Sequence, residues 1–192
     1  MAPHGRSLFP AFDAWRARRA LRGRAAAYVG ALVAEPTSTD VDWLAAHATG
    51  GDADHARWEL RYARRALGLL TAQRDALDDR TASVVARALA AALARDAHIG
   101  AGKIRVVERQ LNARLTAYGD ALVDRSGAGT GWHLGRTLLR FAGRVDATPG
   151  ETVAQAAEIV TRYLGEANEA LREHFGAAAL PDDVAPSSLT PR

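Results

Sequence analysis

A chain of 192 residues is one domain of ordinary size, long enough to bury a core without disulfides or a structural metal. It has no cysteine, which excludes a disulfide framework, Cys-ligated zinc, iron–sulfur clusters and thiol catalysis. The formal charge of +3 comes from 25 basic and 22 acidic residues, too even a balance to name a partner by itself.

Residues 1 to 10 carry Pro3, Gly5 and Pro10 and read as a flexible arm. From Ala11 to about Ala34 the pattern is helical and stops before Pro36. Thr37-Ser38-Thr39-Asp40 offers N-caps for a short helix through Trp43 and Leu44, ended by Gly50-Gly51. The segment from Asp52 to about Leu77 places Ala56, Leu60, Ala63, Leu67, Leu70 and Leu77 on one apolar stripe, interrupted by Arg74. Asp78-Asp79 caps a fourth helix, striped by Val84, Val85, Ala88, Leu89, Ala92 and Leu93.

His98 to Gly102 is a break. A fifth helix follows with Ile104, Val107, Leu111, Leu115, Tyr118 and Leu122 on one face. Ser126 to Gly131 is a glycine-rich loop, and Trp132 to about Ala142 is a shorter helix. Thr148-Pro149-Gly150-Glu151 is a capping box with proline at the first helical position, so a helix should run from 149 to about Phe175. Ala156, Val160, Tyr163, Leu164, Ala167 and Leu171 face inward. The remainder, 176–192, holds three prolines and reads as a disordered tail. No segment alternates with period two. The expected fold is all-α: one bundle of about seven helices over residues 11–175, two of them short.

No motif in this order carries recognisable chemistry, so the expectation is a non-enzymatic protein with no cofactor. The histidines are scattered, and neither Glu-x-x-His nor His-Glu-x-x-His occurs. His55 and Glu59 lie one helical turn apart and could share a metal, but a surface contact between them is the simpler reading. Gly100-Ala101-Gly102-Lys103 lacks the first glycine, the hydroxyl residue and the preceding strand of a phosphate loop. Ser, His and Asp occur only as unlinked residues.

Two surfaces are candidates for binding. Arg16, Arg18, Arg19, Arg22 and Arg24 crowd a stretch flanked by Phe9, Phe12 and Trp15. Phe12, Trp15, Arg16, Arg19 and Arg22 are the set expected near an anionic lipid surface. Nucleic acid fits less well, because no recognition-helix pattern accompanies the cluster. Lys103 is the only lysine, so much of this arginine usage reads as the codon bias of a GC-rich genome. Arginines beside aromatics, as in Arg57-Trp58 and Arg61-Tyr62, are typical of anchors for a protein partner. Trp43, Trp58 and Trp132 add aromatic surface beyond what an Ala-rich core needs, although any one tryptophan is more often core.

The order of these segments resembles the ubiquinol–cytochrome c reductase assembly chaperone family. The family's Gly-Arg-aromatic-Glu opening of a long apolar helix is matched by Ala56-Arg57-Trp58-Glu59-Leu60. Arg114-Leu115-Thr116-Ala117-Tyr118-Gly119-Asp120-Ala121-Leu122 is similar to its Arg-to-Tyr helix end. Leu134 to Arg140, and Ile159 to Leu164 entering an Ala-rich helix, resemble its closing segments. The resemblance covers roughly residues 20 to 175. It departs where Glu35-Pro36-Thr37-Ser38 replaces a Gly-Val-Pro-Asp stretch, and where Ala90 to Ala94 replaces an acidic pair.

The resemblance implies a chaperone that binds newly made cytochrome b at the membrane surface. The expected location is then the bacterial cytoplasm, with peripheral attachment to the inner membrane. Arg57, Trp58, Arg61, Tyr62, Arg114 and Tyr118 are the residues expected to meet the protein client. Two other readings stay open at this point: a helical metal- or ligand-binding enzyme with a dispersed site, and a nucleic-acid-binding regulator.

Overall fold

The computed structural model describes residues 10–75, 79–100, 102–124, 126–144 and 149–176. Among the described residues there are seven α-helices and no strand. They are α1 (Pro10–Leu32), α2 (Ser38–His47), α3 (Ala53–Asp75), α4 (Asp79–Leu93), α5 (Ile104–Val123), α6 (Thr130–Phe141) and α7 (Gly150–Phe175). The two short helices are α2 and α6. Of the expected arm, residues 1–9 lie outside the described residues, as do Leu77, Asp78, Thr148 and the expected tail from 177 onward. Pro10, expected in the arm, instead opens α1, where its missing N–H costs nothing in a first helical turn.

The helix starts follow local chemistry. Thr37 caps α2 by accepting the Asp40 N–H through Oγ1 at 3.1 Å. Asp52 does the same for α3, where its carboxylate accepts the His55 N–H at 2.9 Å. Gly50 and Gly51, at φ +67° and +91°, make the turn between these two helices, in a region that other residues avoid. Pro149 stands one place earlier than expected. Its ψ of 141° makes it the N-cap of α7 in place of the first helical residue.

The main departure from the one-stripe reading concerns α3. It packs against all six other helices. Its buried residues run all round its circumference, and they include Glu59, Arg61 and Arg65 as well as Leu60, Ala63, Ala66, Leu67 and Ala72. The stripe along α3 is real, but the opposite face is covered too. Around it the stripes of α4, α5 and α7 turn inward as expected, with Val85 and Leu89, Val107 and Leu111, and Val160 and Tyr163 buried. Trp43, Trp58 and Trp132 are partly buried against this single core.

Two close approaches fix the helix pairs. At Gly135 in α6, an added Cβ would stand 2.7 Å from both Ala157 N and Val153 O of α7, so only glycine lets the backbones meet. At Gly68 in α3, an added Cβ would strike the Leu32 side chain of α1, and the Tyr28 hydroxyl donates to the Gly68 carbonyl at 2.8 Å.

Gly135→Ala should therefore destabilise the protein by about 1–3 kcal/mol through overpacking. Gly165→Ala in α7 makes the same chemical change in open space and should be neutral or gain up to about 1 kcal/mol of helix propensity. Urea denaturation of both variants checks the pair. Equal stabilities would mean that α6 and α7 do not meet at Gly135.

Candidate functional site

The charges carried inward by α3 each meet a counter-charge from another part of the chain. Arg114 of α5 grips Glu59 in a two-pronged pair, Nε to Oε2 at 3.0 Å and Nη2 to Oε1 at 2.5 Å. Both side chains are almost fully buried. Arg114 also donates to Gln110 Oε1 and lies over the rings of Tyr62 and Phe141 at 5.0 and 4.1 Å. Burial pushes the Glu59 carboxyl above the usual carboxylate range, against the opposing pull of Arg114 and His55. Burial also drives the phenols of Tyr118 and Tyr62 upward.

Arg61 donates twice to Glu35 in the α1–α2 connection, at 3.1 and 2.8 Å. Arg65 reaches Asp96 after α4 at 3.0 Å, and Arg64 reaches Glu166 of α7 at 2.7 Å. Burial pulls the Arg65 guanidinium below its usual range, with Asp96 working the other way. A further tie joins α7 to α2, where Asp40 accepts from Arg162 at 2.5 Å and from the Tyr163 hydroxyl at 3.3 Å.

Four of the residues expected to meet a partner are placed in the interior. Arg61, Tyr62, Arg114 and Tyr118 lie inside the bundle and are committed to contacts within the chain. For Arg61 and Tyr62 the physical reason is the enclosure of α3, whose solvent-side face is here packed against neighbours; Arg114 and Tyr118 lie on the buried stripe of α5. Arg57 and Trp58 remain half-buried. Arg57 pairs with Asp54 at 2.7 Å, and the Trp58 ring lies 5.6 Å from that of Tyr62. Glu59 is likewise no surface partner for His55, which approaches it at 3.6 Å from the solvent side. Among the described residues no group of three or more His, Asp or Glu side chains is placed to hold a metal ion.

The residues expected near a lipid surface are gathered on one helix. Phe12 and Trp15 are each 48% exposed, with their rings stacked at 5.9 Å. Arg16 lies over the Phe12 ring at 4.5 Å and Arg19 over the Trp15 ring at 5.5 Å. Arg22 is exposed on the same helix. Among the described residues no helix is long and apolar enough to cross a membrane.

Two surface features were not legible beforehand. Between α6 and α7 an open trough of about 550 Å³ is lined by Ala128, Gly131, Trp132, Ala154, Ala157, Glu158 and Thr161. It exists because small residues on α7 leave the flank of Trp132 uncovered.

The second feature lies at the turn into α6. There Asp124, Ser126 and His133 are linked, contrary to the expectation of unconnected residues. Ser126 Oγ is 2.9 Å from His133 Nε2, and His133 Nδ1 is 3.4 Å from Asp124 Oδ2. The other Asp124 oxygen accepts the Ser126 N–H at 2.8 Å, and the hydrogen bonds from Ser126 hold this carboxyl below the usual range. The order is that of a nucleophile, a base and an orienting acid. Asp124 and Ser126 are exposed, beside an open depression of about 460 Å³. Water therefore competes for each contact, and the same bonds fasten the loop to α6. The folding of the loop onto the first turn of α6 creates this link, and no spacing rule announces it.

Neither a family model, nor a curated protein, nor a solved structure matches this chain.

Removing one member of the Glu59–Arg114 pair should be costly, because the other is left charged in the interior. Arg114→Met is expected to destabilise by about 3–5 kcal/mol at neutral pH. Its deficit should shrink as the pH falls, since a carboxyl whose folded pKa is raised loses stability as pH rises through that value and regains it on protonation. Combining it with Glu59→Leu should recover most of the loss. Chemical denaturation across pH checks all three statements, and a pH-independent deficit would show that Glu59 is not left charged and unpaired.

Proposed function

We propose that this protein is a non-enzymatic assembly chaperone that holds a membrane-protein client at the membrane surface. The client that the family resemblance implies is the cytochrome b of a quinol–cytochrome c reductase. The observation that carries the reading is the trough between α6 and α7. It is an open, mostly apolar depression beside a half-covered tryptophan, a surface that can receive a turn or two of an apolar helix. The two helices that flank it meet backbone to backbone at Gly135, so the depression is preformed. The residual exposure of Arg57 and Trp58 offers a second, smaller contact.

The expected result of pulling the tagged chain from detergent-solubilised native membranes is recovery of a polytopic client, identified by mass spectrometry. Ala154→Arg, which fills the trough from an exposed position, should lower that recovery at least tenfold, about the 1.4 kcal/mol that one blocked contact represents. A strain lacking the chain should assemble less reductase. Recovery of no membrane protein, together with normal reductase in that strain, would sink the proposal.

A second reading rests on Asp124, Ser126 and His133, whose contacts permit acyl transfer to Ser126 with His133 as base. A fluorophosphonate probe separates the readings. Labelling that is abolished by Ser126→Ala and by His133→Ala would favour a hydrolase. Absence of labelling leaves these three residues as loop fasteners.

A further inference from the structure

Phe12, Trp15, Arg16, Arg19 and Arg22 recur at spacings of three and four and so share one face of α1. Every position from Phe12 to Ala20 is exposed. The same face continues through Gly23, Ala26 and Gly30, all exposed, and a Cβ added at either glycine would meet nothing within 4 Å. The opposite face is the one anchored in the core, through Ala25, Tyr28, Val29 and Leu32. The helix thus presents an open outer flank, with an aromatic pair at its beginning and cations along its next two turns.

We infer that this outer flank of α1 lies on an anionic lipid bilayer. The charge is complementary, since five arginines stand against the single Asp13 between Phe12 and Arg24. The distribution also discriminates between occupants. A helix seated in a protein groove presents apolar anchors over two turns or more. Here the large apolar groups occupy one turn, and arginines follow where the next anchors would fall. A bilayer interface takes that arrangement directly: the rings enter at headgroup depth, and the guanidinium groups reach phosphates while their stems cover the apolar boundary. The small residues at Gly23, Ala26 and Gly30 let the helix lie flat without lifting the arginines off the surface. The inference rests on the reading that the chain works at a membrane, but its test requires no client.

The test is co-sedimentation of the purified full chain with vesicles of phosphatidylcholine, and with the same vesicles doped with phosphatidylglycerol. Binding is expected only to the doped vesicles and should weaken as salt is added. The triple variant Arg16→Gln, Arg19→Gln, Arg22→Gln should bind about a hundredfold more weakly, since each cation near the surface contributes about fivefold. Phe12→Ser with Trp15→Ser should weaken binding by about tenfold or more. All these positions are exposed, so circular dichroism and the thermal midpoint should match the parent.

Equal binding to neutral vesicles, no binding at low salt, or full binding by the triple variant would each overturn the inference. So would tighter binding to duplex DNA than to the doped vesicles. Client capture in detergent should survive the triple variant. If capture is lost with it, the flank belongs to the client and not to lipid. If vesicle binding fails while capture persists, the lipid assignment falls and the chaperone reading stands.

Discussion

The architecture depends on a demand made by α3: a helix enclosed on every side carries ionised groups into the interior, and each must be met from elsewhere in the chain. Glu59 is met by α5, Arg61 by the connection between α1 and α2, Arg65 by the turn after α4, and Arg64 by α7. A buried charge left alone costs several kcal/mol, whereas a satisfied pair contributes little net stability compared with apolar side chains of the same volume. The pairs therefore act mainly by penalising alternatives. Rotating α3 about its axis, or sliding it by a turn, would separate three of its guanidinium groups from carboxylates on three other segments, and Glu59 from Arg114 of α5. Apolar packing of Ala and Leu tolerates such slippage far better, because small aliphatic side chains fit many registers.

The same demand explains why α5 sits where it does. Arg114 has to reach the Glu59 carboxylate while its guanidinium plane lies against Tyr62 and Phe141. This arrangement stacks the cation between rings contributed by α3 and α6, and so couples three helices through one side chain. Tyr118, one helical turn further along α5, is sealed beneath it. The polar centre and the aromatic shell share one side chain, Arg114.

Much of the fold was legible from periodicity and capping chemistry. The stripes of α4, α5 and α7, the Thr37 cap and the glycine stop after α2 all rest on local rules, and local rules operate within a few residues. What escaped was the enclosure of α3. Arg61 read as an anchor for a partner and nothing marked Arg64 or Arg65, because a counter-charge such as Glu35, Asp96 or Glu166 is specified only by the tertiary arrangement. Arg-aromatic pairs such as Arg61-Tyr62 have the composition of an interface, and in this chain the interface is internal. The grouping of Phe12, Trp15, Arg16, Arg19 and Arg22 was recoverable for the opposite reason: these residues are neighbours on one helix, and nothing distant is needed to bring them together. The trough beside Trp132 and the Asp124–Ser126–His133 link arise from how α6 meets α7 and the preceding loop, and no spacing encodes either.

The attachment of α1 has a consequence for how the protein can change over time. Its inner turns are pinned by the Tyr28 hydroxyl on the Gly68 carbonyl and by Leu32 wedged against that glycine, so a change of side-chain shape there disturbs the packing. The outer turns, from Phe12 to Ala20, bear no such obligation. Divergence should accordingly be uneven along a single helix, frozen at one end and permissive at the other. Adhesive strength could drift through simple exchanges of arginine, glutamine or tryptophan while the folding equilibrium stayed where it was. The first helix works as a cantilever, and the clamp and the free end answer to different pressures.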